Sequence, residues 1–246
     1  MIKGQVAIVT GASSGIGYAT SIALSKAGVK VVAGARRIEK LDQLKKDIEK
    51  IGGECITISC DVTKRMDCDN LINAAIKKWD LVNILVNNAG LMPLSFVKNL
   101  KVEEWEQMID VNIKGVMYCT SSVIPFMIKQ NSGHIVNISS IAGRIVFPAG
   151  SVYCATKFAV WAFSEGLRQE LSVKNNIRVT TIEPGIVDTE LTNTITDKSL
   201  ESFVKHSKTI QSLKAEDIAN SIMFALESPS HMNVNEITIR PTTQEK

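Results

Sequence analysis

Seven short apolar, β-branched runs alternate with longer amphipathic segments along the chain, and no other feature constrains its fold as tightly. The runs fall at residues 6–10, 30–34, 55–60, 84–87, 134–139, 178–183 and 236–240. Near-continuous apolar runs of this length suit strands buried on both faces of a parallel sheet. Residues 15–27, 38–51, 67–78, 102–129, 152–174 and 215–226 carry helical patterns. In the second of these, Leu41, Leu44, Ile48 and Ile51 share one face, and the lysines opposite read as a solvated surface. Parallel strands joined by helices imply right-handed crossovers. The expected fold is therefore α/β: one domain, residues 1–246, built on a doubly wound sheet of about seven parallel strands with helices on both faces. Residues 188–214, rich in Thr, Ser and Lys, break the rhythm before the last helix. A segment that long is expected to act as a substrate lid.

Composition narrows the class. A hydrophobic content of 45% supports one sizeable core. The net charge is only +3, with bases and acids interspersed, which argues against a nucleic-acid-binding face. The five cysteines (Cys55, Cys60, Cys68, Cys119, Cys154) form no C-x-x-C pair. Their odd number and spacing suit neither a disulfide framework nor a zinc site, and no metal is expected. They read as reduced, buried thiols in a cytoplasmic protein. The first apolar run breaks into Gly and Ser after five residues, too soon for a secretory signal. No run approaches the ~20 apolar residues of a membrane span.

Between the first strand and first helix the chain reads TGASSGIG, from Thr10 to Gly17. Glycine at such a turn lets backbone amides and a helix N-terminus approach a pyrophosphate. Gly11, Ser13, Ser14, Ile16 and Gly17 are therefore candidate cofactor contacts. An NAD-binding βαβ unit ends its second strand in a carboxylate that holds the adenosine ribose hydroxyls. Here Ala35 stands at that point, followed by Arg36 and Arg37. Two guanidiniums and no carboxylate suit a ribose 2′-phosphate, which Arg grips bidentately. The expected cofactor is NADP(H), with Arg36 as first choice for the phosphate and Arg37 as second, the latter able to pair instead with a surface acid.

The T-G-x-x-x-G-x-G spacing resembles that of the short-chain dehydrogenase/reductase family. Further matching motifs are Asp61-Val62, Asn87-Asn88-Ala89-Gly90, Asn112, Ser139-Ser140, Tyr153-x-x-x-Lys157, and Pro184-Gly185 followed by Thr189. Seven motifs in order, at fitting intervals, cover essentially the whole length. The resemblance implies a Rossmann-type fold and an oxidoreductase acting on CH–OH or C=O groups. It implies that Asp61, beside Val62, bonds the adenine amino group and that Asn88 and Gly90 line the adenosine side. By the same likeness Val187 and Thr189 hold the nicotinamide carboxamide, and Asn112 holds a water linking Lys157 to solvent. Segments 102–129 and 152–174 resemble the family's association surfaces, so a homodimer or homotetramer is expected.

Residues four apart on a helix share a face, so Tyr153 and Lys157 project together. A free tyrosine, with pKa near ~10, exchanges protons poorly at neutral pH. A neighbouring ammonium favours the phenolate, and bringing the group to ~7 needs roughly 4 kcal/mol. Tyr153 is then expected to pass a proton to the carbonyl oxygen as hydride arrives, or to remove it in reverse. Ser140, ending a strand, is expected to hydrogen-bond the substrate oxygen, with Ser139 as its rival.

Within the family, Ser140-Ile-Ala-Gly-Arg144, Arg168-Gln-Glu-Leu171, Asp188-Thr-Glu-Leu191 and the tail Ile237-Thr-Ile-Arg-Pro-Thr242 resemble the clavulanate-dehydrogenase-like aldehyde reductases and 3-hydroxy-acid dehydrogenases. A pocket is expected from residues 91–96, 144–149 and the lid. Arg144 is the charge expected to meet a substrate carboxylate, which a small semialdehyde would carry; loop or subunit contacts are its other reading. The alternatives are a 3-oxoacyl-thioester reductase of the same family and a catalytically idle NADP-binding regulatory protein.

Overall fold

The apolar runs become seven strands in the computed structural model, which describes residues 2–207, 209 and 211–245. They are β1 (Val6–Thr10), β2 (Lys30–Ala35), β3 (Cys55–Ser59), β4 (Ile84–Asn87), β5 (Gly133–Ile138), β6 (Ile177–Pro184) and β7 (Glu236–Ile239). All pair in parallel, in the order β3-β2-β1-β4-β5-β6-β7. The order reverses between β1 and β4, and the crevice beyond the carboxyl ends of those strands is where such sheets bind ligands.

Helices α1 (Gly15–Lys26), α2 (Ile38–Lys50), α3 (Arg65–Trp79), α4 (Val102–Ile109), α5 (Gly115–Gln130), α6 (Ser151–Asn175), α7 (Glu201–Ser207) and α8 (Ala215–Glu227) complete the fold. One core packs Ala7, Val9, Leu24, Val31, Leu41 and Ile222 on one face of the sheet. A second packs Ile8, Val32, Leu71, Val123, Met127 and Leu171 on the other. Helices α3, α5 and α6 end at Asp80, Asn131 and Asn176, each left-handed, a conformation short polar side chains tolerate.

One expectation is corrected. Residues 102–129 do not form a uniform helix: a π-turn, Asp110–Lys114, joins α4 to α5 and carries Asn112. As one continuous run, Val102–Gln130 is long and apolar enough to cross a membrane by length and composition. Val116, Cys119, Val123 and Met127 of this run are buried in the molecule instead. The segment expected to act as a lid holds short 3₁₀ turns at Glu190–Thr194 and Lys198–Leu200 and then α7. Its neck is closed by a parallel bridge between Val187 and Leu213, close to the expected limits. All five cysteines are free and buried.

His134 on β5 couples stability to pH. Its Nε2 faces the Thr180 hydroxyl at 2.8 Å, and that hydroxyl donates to the Val234 carbonyl at 2.7 Å. Thr180 must therefore accept from His134, which fixes the Nε2–H tautomer and leaves buried Nδ1 unpaired. Burial, with Arg178 nearby, pushes the imidazole down to about 3. Below its ordinary pKa the unfolded chain binds a proton that the folded chain refuses. Stability is thus lost as pH falls from about 6.5 toward 3, by up to about 1.4 kcal/mol per unit. The urea midpoint is expected to fall between pH 7 and pH 5, and to fall less in His134→Asn.

Candidate active site

The crevice at the carboxyl ends of the strands opens into a cleft of about 1630 Å³. At one end lies the glycine turn. Gly11 sits at φ +64°, and a Cβ there would stand 2.9 Å from the Ala89 Cα. A Cβ on Gly17 would stand 2.5 Å from the Gly11 carbonyl oxygen. Thr10 Oγ1 accepts from the amides of Asn88 and Ala89 at 3.0 and 3.1 Å, tying the turn to the end of β4. The Asn88 side chain donates to the carbonyls of Thr10 and Gly11 at 2.9 and 3.2 Å. Its role in the chain is to brace the turn from beneath. The helix N-terminus at Gly15 and the Ser13 and Ser14 side chains complete a cradle that fits a dinucleotide phosphate.

Ala35, Arg36, Arg37, Asp61 and Val62 line the next part of the cleft. Asp61 is oriented by Thr63, whose amide and hydroxyl donate to Oδ1 at 3.1 and 2.8 Å. The two arginines differ. Arg36 is exposed. Arg37 lies over the glycine turn, with Nε and Nη2 donating to Ser13 Oγ at 3.2 and 3.0 Å and Nη2 to Ser14 Oγ at 2.7 Å. Its Nη1 pairs with Glu190 at 2.7 Å, which is the surface-acid pairing foreseen for it. Of the two, Arg37 is the one that reaches the turn.

At the other end, Ser140, Tyr153 and Lys157 come together. Tyr153 and Lys157 are both buried on α6, with the Lys157 Nζ 5.7 Å from the tyrosine ring centroid. Nζ donates to the Ile138 carbonyl at 2.9 Å, pinning the ammonium beneath the end of β5. Ser139 is committed elsewhere: its hydroxyl donates to the Lys157 carbonyl at 2.9 Å. Ser140 is left to face the phenol, whose pKa it lowers. It is held in turn by the Ala142 amide at 3.1 Å and the Pro184 carbonyl at 3.3 Å. Asn112 accepts from the Leu91 amide at 2.9 Å and donates to the Leu91 carbonyl and Thr156 Oγ1 at 3.0 and 3.1 Å. The π-turn places it there, fixing the loop after β4 against α6.

Within the protein, burial outweighs the ammonium. It pushes Tyr153 up to about 12, offset in part by Ser140. It pushes Lys157 down to about 8. The expected drop of the phenol toward neutrality is not supplied by Lys157 in this geometry.

Arg144 makes the kind of contacts its other reading described, and not contacts to the cleft. Its Nε donates to the fully buried Glu183 at 2.8 Å, a second nitrogen pairs with Glu236, and the guanidinium lies 4.8 Å over the Trp161 ring. Its role here is to join the loop after β5 to β6 and β7, and it is not among the cleft-lining residues. Among the described residues, the cleft's cations are Arg36, Arg37 and Lys157. Val187 and Thr189 line the cleft as expected, and Gly15 approaches Thr189 closely. Sequence reasoning missed Glu190, whose pairing with a residue 153 positions away leaves no local signal.

The fold and the site define a nucleotide-binding oxidoreductase, and comparison with known proteins gives the family. Residues 5–200 match the short chain dehydrogenase model, and the chain belongs to that family. An uncharacterized oxidoreductase of Staphylococcus saprophyticus is 46% identical over 245 residues, covering 99% of this chain and 98% of the other. A glycine betaine reductase of Emericella nidulans is 42% identical over 240 residues, 98% of this chain but 19% of that one. Among solved structures, the closed form of serine dehydrogenase complexed with NADP+ superposes with a TM-score of 0.90. It is 35% identical, with 98% and 97% of the two chains covered.

Proposed function

We propose that this oxidoreductase uses NADP(H) to interconvert a small carbonyl compound and its alcohol, with Tyr153 as the proton donor and acceptor. The carrying observation is the convergence of Ser140, Tyr153 and Lys157 at one end of a cleft whose other end is the glycine turn with Arg37 above it. A bound nicotinamide supplies or takes the hydride. Ser140 orients the substrate oxygen beside the phenol. Tyr153, neutral at ordinary pH, holds the proton that a reduced carbonyl oxygen requires. Lys157 stabilises the phenolate left behind, and Asn112 keeps the facing loop in register.

Leu91, Met92, Leu94, Ile145 and Phe147 give the substrate end apolar lining, and Thr192, Asn193 and Thr194 add polar groups. That lining favours a small substrate with few polar groups around its carbonyl. It offers no Arg144 for a carboxylate, so the semialdehyde reading loses its anchor. Exposed Ile109, Met117 and Phe158, on segments expected to associate, support a homo-oligomer. The five buried thiols support a reducing, cytoplasmic setting.

The test is a panel of aldehydes and ketones followed by NADPH oxidation, with NADH alongside. Turnover of short-chain carbonyls with NADPH preferred is the expected result. Tight NADPH binding without turnover of any member would favour a regulatory protein.

A further inference from the structure

A carboxylate stands where the NADP(H) reading places a phosphate. Glu190 follows Thr189 in the lid and reaches the Arg37 guanidinium at 2.7 Å. Every nitrogen of that guanidinium is engaged: Nη1 by Glu190, Nε and Nη2 by Ser13, and Nη2 also by Ser14. Ser14 and Lys40 add to the stabilisation of the charged form of Glu190. Arg37 contributes most to holding its carboxyl below the usual range. The group that recognises a 2′-phosphate and the group that competes with it are thus in contact.

We propose that Glu190 is a specificity-determining residue for the cofactor. Its carboxylate fills the arginine fork that a ribose 2′-phosphate needs, so a phosphorylated adenosine must displace it and an unphosphorylated one need not. This inference rests on the NADP(H) reading above.

The magnitudes permit the exchange. The two side chains are 44% and 50% exposed, and ion pairs of this kind are the weakest class. A phosphate brings three acceptor oxygens and about −1.5 to −2 charges, more than the single carboxylate it replaces. Glu190 also has room to leave. The lid is fixed on one side at the Val187–Leu213 bridge. On the other it is fixed at Asp197, which accepts from Ser95 Oγ at 2.6 Å and Asn99 Nδ2 at 2.7 Å. Glu190 lies between these anchors, at the start of a turn that is itself held where Thr194 Oγ1 accepts from the Met92 amide at 3.1 Å.

Titration calorimetry with adenosine 2′,5′-bisphosphate, AMP, NADPH and NADH tests this. Glu190→Gln is expected to bind the bisphosphate and NADPH about 3- to 10-fold more tightly, about 0.7 to 1.4 kcal/mol, with AMP and NADH unchanged. Adding Arg37→Met should erase the gain. Unchanged bisphosphate affinity in Glu190→Gln would overturn the proposal. So would weakened NADH binding, which would mean that the carboxylate holds ribose hydroxyls. An unmodified protein that binds NADH as tightly as NADPH defeats the cofactor reading itself. A flat Glu190→Gln response with NADPH preferred defeats only the role of Glu190.

Discussion

Tyr153→Phe is expected to lower kcat for carbonyl reduction by about 10²- to 10⁴-fold, the range for loss of a positioned general acid. NADPH affinity should change by less than about threefold, because phenylalanine fills the same buried space and the phenol makes no contact with the glycine turn at the other end of the cleft. Stopped-flow turnover and NADPH fluorescence titration separate the two quantities. A kcat within tenfold of the unmodified protein would remove Tyr153 from the proton path. The pH profile follows from the same burial. Tyr153 stays protonated up to about 12, so the phenol form needed for reduction is present throughout the working range. Lys157 loses its proton above about 8, because burial penalises its charged form. Reduction is therefore expected to hold steady below pH 8 and to decline above it as the ammonium is lost. Oxidation needs the phenolate and is expected to rise with pH from neutrality, helped by the positive charge of an oxidised nicotinamide.

The strands were legible because each is an apolar run bounded by turn residues, and a buried parallel sheet leaves little room for another reading. Tyr153 and Lys157 were legible because a helix fixes how residues four apart face. The family interval to the tyrosine favoured Ser140 over Ser139, and the Ser139 hydroxyl is engaged by the Lys157 carbonyl. What the sequence could not show depends on contacts between distant segments. The π-turn at Asn112 lies inside a run whose residue pattern is helical throughout, and its signature is a backbone shift. Arg144 looked available because its partners, Glu183 and Glu236, lie 39 and 92 positions away. Lys157 and an oxidised nicotinamide were expected to lower the phenol together, whereas in the chain alone the burial of Tyr153 raises it.

The same distinction governs the cofactor prediction. Arg36 and Arg37 are adjacent at the exit of β2, and neighbouring residues in extended chain point to opposite sides. Only one of them can lie over the glycine turn, and sequence order does not say which. Arg37, extended at φ −89° and ψ 92° just before α2, turns its guanidinium onto Ser13 and Ser14. Arg36 remains exposed at the cleft edge. A charge-assisted contact between guanidinium and phosphate is worth about 1.5 to 3 kcal/mol, so Arg37→Met should raise the Kd for NADPH by about 10- to 100-fold. NADH affinity should stay within about twofold, since NADH carries no 2′-phosphate. Arg36→Met should raise the NADPH Kd less, by about 3- to 10-fold, as expected of an exposed charge that no contact holds over the glycine turn. Parallel titrations of both variants with both cofactors make the comparison. A larger effect from Arg36 would return the phosphate to the residue that sequence reasoning placed first. Loss of NADH binding in Arg37→Met would show that the guanidinium supports the glycine turn itself rather than a phosphate.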